Sequence, residues 1–166
     1  MRRYMSWSIW GVTRVFTRKA KPHELDAIYS MGFDVWGDDL AYEEYLVGCH
    51  HSKKYQAGTW YVLIDNEQIL SSLIVYKNMF GLKEDCAGIG SVATPNSLRG
   101  RGYASNLVNL VKIELFSNHN CKTVFLHSDI NHKFYSRLGF VSVNGTDCMY
   151  ASRDAFDFDG SMPAYF

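Results

Sequence analysis

The stretch Ser91-Val92-Ala93-Thr94-Pro95-Asn96-Ser97-Leu98-Arg99-Gly100-Arg101-Gly102-Tyr103-Ala104-Ser105 carries an apolar strand into an Arg/Gly-rich turn that opens directly onto a helix. Small residues at Gly100, Gly102 and Ala104 let the backbone turn tightly and come close to a ligand. A helix beginning near Gly102 points unpaired N–H groups and the positive end of its dipole into the same space. Arg99 and Arg101 add fixed positive charge, so the segment predicts a seat for phosphate groups. The plainer alternative is an ordinary strand-to-helix turn, with Gly and Arg present for geometry and solubility. Two familiar phosphate loops do not fit. A P-loop needs Gly-Lys followed by Ser or Thr, which is absent from the sequence. A dinucleotide fingerprint needs Gly or Ala where Ser105 stands and an acid at a later strand end, whereas Glu114 falls inside the predicted helix.

Around this stretch the apolar periodicity alternates between strand and helix, without repeats or low-complexity linkers. Gly11 to Thr17 reads as a strand, and Lys21-Pro22-His23-Glu24 as a helix start with Pro early and acid in the first turn. A second helix is expected from Asp39 to about Cys49. Strands at Thr59 to Ile64 and Ile69 to Tyr76 are separated by Asp65-Asn66-Glu67-Gln68, the composition and length of a hairpin. Cys86 to Ala93 is the next strand, and Gly88 and Gly90 mark a bulge or a close backbone approach. The helix from Gly102 to about Ser117 carries Leu107, Leu110, Val111 and Leu115 on one stripe. Thr123 to His127 is a buried strand, and Asn131 to Leu138 a short helix capped by Gly139. Phe140 to Val143 and Cys148 to Ser152 form a hairpin around Asn144-Gly145, and the tail from Arg153 is acidic and aromatic. This order predicts a mixed α/β (α+β) sheet of about six to seven strands with helices on both faces.

Length and charge agree with one domain spanning residues 1–166, its tail from 153 undetermined. A chain of 166 residues buries roughly 70% of its unfolded surface, enough for a full core. Seventeen basic and seventeen acidic residues balance, which argues against general affinity for nucleic acid or anionic membrane. The Met1-Arg2-Arg3 start has the charge of a signal-peptide n-region, but Ser6, Ser8, Gly11, Thr13 and Arg14 break up any apolar core. Neither a leader nor a transmembrane span is expected, so the location predicted is cytoplasmic. Cys49, Cys86, Cys121 and Cys148 are scattered without CxxC spacing and are expected as reduced thiols. Adjacent His50 and His51 lack a third ligand at metal spacing, and no metal is assigned.

Arg99, Gly102 and Ala104 fill a pattern of Arg or Gln, two residues, Gly, one residue, then Gly or Ala. With Val92-Ala93-Thr94-Pro95 before it and Leu107 and Val108 after it, this segment resembles the acetyl-CoA-binding motif of the GNAT superfamily of N-acetyltransferases. The run Leu126 to Phe140, with Asn131 and the ending Tyr135-Ser136-Arg137-Leu138-Gly139-Phe140, resembles that family's second cofactor-proximal motif. Together they cover about a third of the chain, in the expected order. The resemblance implies a GNAT fold whose fourth and fifth strands splay, with the pantetheine arm of the cofactor in the gap. It implies transfer of an acetyl group from acetyl-CoA to an amine by direct attack in a ternary complex. A small-molecule primary amine is the acceptor expected, and a homodimer is compatible with this reading. A protein or peptide acetyltransferase, and a CoA-binding module without turnover, are the alternatives.

Residue by residue, the resemblance places the pyrophosphate on Leu98, Arg99, Gly100, Arg101, Gly102, Tyr103, Ala104 and Ser105, and the pantetheine against Ser91, Val92, Ala93 and Thr94. Expelling a thiolate from a tetrahedral oxyanion calls for a donor at the carbonyl and an acid at the sulfur. By position Val92 N–H is the first and Tyr135 the second, although Tyr135 also reads as a core aromatic beside Phe134 and Phe140. Phe134 and Asn131 belong to the cofactor side, where Asn131 equally serves as a helix cap. For the base, Asp85 and Glu84 lie where the family often carries a carboxylate, though they also read as solvated loop charges. His127 is a further option. The acceptor side is expected between the first strand and the hairpin, where Trp36 and Tyr45 join Phe33, Tyr42 and the acids Asp34, Asp38, Asp39, Glu43 and Glu44. Aromatic faces with carboxylates suit a cation; the alternative is an amphipathic helix with a wet acidic face.

Overall fold

Asn66 and Glu67 both adopt left-handed φ (45° and 65°), the conformation a two-residue hairpin turn requires to match strand twist. They join β2 (Thr59–Asp65) to β3 (Gln68–Tyr76), and this hairpin anchors the sheet in the computed structural model, which describes residues 15–154 and 160–166. β1 is Phe16–Lys19, antiparallel to β2. It starts later than the expected Gly11–Thr17, of which residues 11–14 lie outside the described residues. β4 (Cys86–Ala93) pairs antiparallel with β3, and β5 (Thr123–His127) pairs parallel with β4. β6 (Val141–Ser142) and β7 (Cys148–Ser152) complete a seven-stranded mixed sheet in the order β1-β2-β3-β4-β5-β7-β6.

Helices cover both faces. On one, α5 (Tyr103–Asn118) drives Leu107, Val108, Val111 and Leu115 into a core with Leu63, Leu73, Ile89 and Leu126. Val108 is fully buried, whereas Leu110 of the predicted stripe only flanks this core. Short α6 (Lys133–Ser136) adds Tyr135 to the same side. The turn after it closes on Gly139 (φ 89°), where Gly139 N–H donates to Ser136 O and Phe140 N–H to Tyr135 O, the paired bonds of a Schellman motif.

The opposite face packs against α1 (Leu25–Ser30), which follows a 3-10 turn at Pro22–Glu24, and against α3 (Tyr42–His51). Between these two lies α2 (Phe33–Trp36), and α4 (Lys53–Ala57) follows. The expected helix start at Asp39 moves to Tyr42 because Asp38 and Asp39 have φ of 47° and 61°, which a helix cannot contain.

The tail's last described residues join this second core. Ala164 N–H donates to Phe80 O at 2.7 Å, and the Phe166 ring lies against Tyr76, Phe80 and His127. A Cβ at Gly88 would come within 2.5 Å of that ring, so Gly88 serves the close approach. The bulge is elsewhere in β4. Ser72 pairs with Ala93 but Ile74 with Gly90, which leaves Ser91 and Val92 without register partners on β3, and Ser91 takes φ 46°. All four cysteines are buried free thiols.

Candidate active site

The parallel pairing of β4 with β5 ends at Ile89 and Leu126, while β4 runs on to Ala93. Beyond that point the two strands part. The gap opens into a cleft of about 560 Å³ at the C-terminal ends of the parallel pair, the place where open α/β sheets bind ligands.

One wall is Ser91 through Thr94, whose extra bulge residue frees backbone groups from the ladder. The floor is the turn containing Leu98, Arg99, Gly100 and Gly102, followed by Tyr103, Ala104 and Ser105. Gly100 and Gly102 have φ of 75° and 80°, and each faces open space. Among the described residues the first main-chain bond into α5 runs from Asn106 N–H to Gly102 O at 3.0 Å. The N–H groups of Gly102 through Ser105 therefore stand free at the dipole's positive end, the donor set that a pyrophosphate needs. Arg101 is exposed beside this floor and does not line it.

Arg99 has a different occupation from the one expected. Its Nη1 and Nη2 bond both carboxylate oxygens of Asp34 at 2.7 and 2.9 Å. Nη2 also reaches Met31 O at 3.3 Å, and Nε donates to Thr94 O at 3.0 Å. This pairing holds the Asp34 carboxyl below the usual carboxylate range and leaves Arg99 a brace between the turn and the α1–α2 segment. Among the described residues, the groups of this turn left without a partner are the main-chain N–H groups at the start of α5.

Tyr135 and Phe134 close the cleft on the α6 side. Tyr135 is 8% exposed, and burial, followed by the charge of Asp129, pushes its phenol up to about 12. It is a neutral donor at any ordinary pH. Asn131 does not line the cleft; its Oδ1 accepts from Lys133 N–H at 2.9 Å, a local turn just ahead of α6, whose N-cap is His132.

On the other side of the gap the lip is Val35 and Trp36. Trp36 covers Gly32 so closely that a Cβ there would lie 2.0 Å from its ring. Of the expected acceptor aromatics only Trp36 reaches the cleft. Tyr45 is buried, its hydroxyl donating to Tyr29 O at 3.0 Å, so it is a core residue of the helical layer; Phe33 flanks that core, packed on Tyr45 and on the exposed Tyr42.

Asp85 and Glu84 are also placed elsewhere. They border a separate depression with Lys77 and His119, at the end of β4 remote from Ser91, a strand length of about 20 Å at ~3.3 Å per residue. Asp85 is 3.7 Å from Lys122 Nζ, an ion pair at the start of the parallel ladder, so it cannot serve an amine at the gap. His127 and Asp129 do line the cleft, at and just beyond the end of β5. No motif singles out Asp129, whose place just after a parallel strand brings it to the cleft. Among the described residues no three His, Cys, Asp or Glu side chains gather to hold a metal ion, and no helix is long and apolar enough to cross a membrane.

With this geometry in place, the comparisons with known proteins are consistent. The sequence profile of the acetyltransferase (GNAT) family matches residues 23–140, and the chain belongs to that family of acetyl-CoA-dependent acyltransferases. Solved structures share the fold. A GNAT family acetyltransferase from Brucella melitensis in complex with acetyl-CoA superposes with a TM-score of 0.66 at 16% identity, over 92% of this chain and 96% of its own. YhbS from Escherichia coli in complex with CoA gives 0.64 at 18% identity, over 88% and 85%. A spermidine N-acetyltransferase chimera of Vibrio cholerae SpeG and hSSAT gives 0.61 at 16%, over 83% and 95%. A search of curated protein sequences finds no match to the chain.

Proposed function

We propose that the protein transfers the acetyl group of acetyl-CoA to the primary amine of a small molecule, by direct attack while both substrates are bound. The observation that carries this reading is the interrupted edge of β4. Ser91 and Val92 are released from the β3 ladder in the same cleft as a buried, neutral Tyr135. A strand edge with free amides pairs with an extended amide-bearing arm such as pantetheine, in the manner of an added strand. Val92 N–H then serves the carbonyl oxygen and Tyr135 the sulfur, the two places where charge develops. Phosphates sit on the main-chain donors of Gly102 through Ser105.

A small amine is favoured over a peptide because the far side of the gap is narrowed by Val35 and Trp36 and by the segment that packs on His127. Asp129 at the mouth supplies a carboxylate suited to a cation. The test is thiol release from acetyl-CoA with an amine panel of spermidine, tyramine and lysine set against a lysine-bearing peptide. Turnover with at least one small amine and little with the peptide is expected. Peptide-only turnover would replace the reading with protein acetylation, and CoA binding without any turnover would leave a binding module.

A further inference from the structure

Removing the amine's proton needs a base at the gap, and of the candidates Asp85 and Glu84 stand at the wrong end of β4. His127 stands at the right place. It follows Leu126, the last β5 residue paired with β4, so it sits where the two strands part, and it lines the cleft. Its ring packs at 4.8 Å on Phe166 and 5.1 Å on Tyr165, both from the tail, which puts it on the α1–α3 face of the sheet. Tyr135 belongs to the core on the α5 face. The gap thus has a titratable nitrogen on one side and a phenol on the other, which suits a reaction whose nucleophile and leaving group need different proton partners.

A second observation concerns the ring's protonation. His127 Nε2 lies 3.1 Å from the main-chain oxygen of Ala164, which can only accept. Nε2 therefore carries the hydrogen in the neutral ring, and Nδ1 keeps the lone pair. The Ala164 segment is itself fixed, by Ala164 N–H to Phe80 O at 2.7 Å and by Tyr165 Oη to Asp129 Oδ2 at 3.1 Å. A base held in one tautomer by a third group is the logic of orienting groups in acyl-transfer sites.

We propose that His127 is the general base of the transfer and that the tail residues Ala164 and Tyr165 position it. The proposal rests on the acetyl-transfer reading above. The lone pair of the neutral amine forms the C–N bond as the carbonyl pair moves onto oxygen. That pair returns as the C–S bond breaks, with its electrons on sulfur. Nδ1 takes the proton shed by nitrogen and releases it to solvent, while the thiolate, hydrogen-bonded by Tyr135, takes up one from solvent.

The test uses the full chain and whichever of spermidine, tyramine and lysine the wild type acetylates fastest. His127→Gln keeps an N–H for Ala164 O but cannot accept the proton. It should lower kcat by about 10²- to 10⁴-fold and leave CoA affinity in calorimetry unchanged. His127→Ala should show a similar defect that added imidazole partly restores. Wild-type kcat in His127→Gln, or a His127→Ala defect that imidazole does not touch although CoA still binds, would overturn the base assignment and leave acetyl transfer standing. Absence of transfer by the wild type itself would remove the reading on which it rests.

Discussion

Tyr135→Phe removes one hydroxyl from the cleft and nothing else. The ring is edge-on to Phe134 at 4.9 Å and to Phe140 at 6.0 Å, contacts that phenylalanine preserves. The fold should therefore hold, with Tm within about 2 °C of wild type. The phenol stands at about 12. A leaving thiol of the cysteine type is near 8.5, so handing the proton over completely is uphill by about 3 to 4 pH units, on the order of 5 kcal/mol. The hydroxyl consequently serves as a hydrogen-bond donor to the departing sulfur and keeps its proton. A hydrogen bond to a charged acceptor contributes about 1.5–3 kcal/mol, so kcat should fall by about 10- to 150-fold. Because a group raised above its ordinary value stays protonated until pH passes that raised value, the ratio of wild-type to variant kcat should be flat from about pH 6 to about pH 10. Steady-state thiol release across that range, with CoA affinity by calorimetry as control, measures it. A loss under about threefold would show that the hydroxyl does not meet the sulfur. A ratio that changes tenfold with pH would show that the phenol gives up its proton.

Gly102→Val forces a β-branched residue into φ 80° at a position facing open space, so the stability cost is conformational, about 1–2 kcal/mol. The chain should fold yet give no calorimetric heat with CoA at concentrations that saturate wild type; unchanged affinity would move the phosphate site. Trp36→Ala removes the aromatic lip, and if the ring faces an ammonium the loss of about 0.5–1 kcal/mol should raise the amine KM about two- to fivefold and spare that for acetyl-CoA. Equal effects on both substrates would place the acceptor elsewhere. Arg18 bonds both oxygens of Glu24, at 2.9 and 2.6 Å, and holds its carboxyl down to about 2. A depressed carboxylate stabilises above its unfolded value near 4.3 and ceases to as pH falls through the folded one. Glu24→Gln should therefore cost up to ~3 kcal/mol at neutral pH in urea unfolding, with the difference fading toward pH ~2. A difference that is the same at both pH values would refute the pairing.

The order of strands and the long helix were readable because their signals are local. Asn66-Glu67 between two apolar runs reads as a hairpin without a glycine, and Leu107, Val111 and Leu115 declare the buried side of α5. α2 and α4, at four and five residues, are too short for a 3.6-residue period to register, and nothing in Asp38-Asp39 announces two left-handed residues. Within the site, the turn and Tyr135 are carried by contiguous motifs. The partners of Arg99 and His127 are not, since Asp34 is 65 residues away and Ala164 is 37. Charge and the motif assign Arg99 to phosphate, and only the folded contact reveals its pairing with Asp34. The same lack of range put Tyr45 and Asp85 in the site by sequence neighbourhood, whereas packing sends one to the core and the other to the far end of β4.

The extra residue at Ser91–Val92 sets two kinds of selection against each other. Deleting one residue there would bring β3 and β4 back into an uninterrupted ladder, and a screen for heat resistance would reward the added hydrogen bonds. It would also remove the bulge that takes Ser91 and Val92 out of the β3 ladder. Variants of this chain chosen for robustness alone should therefore drift toward a well-made but inert sheet. A stabilisation campaign has to hold the register of Gly90 through Ala93 constant and look for its gains on the opposite side of the hairpin.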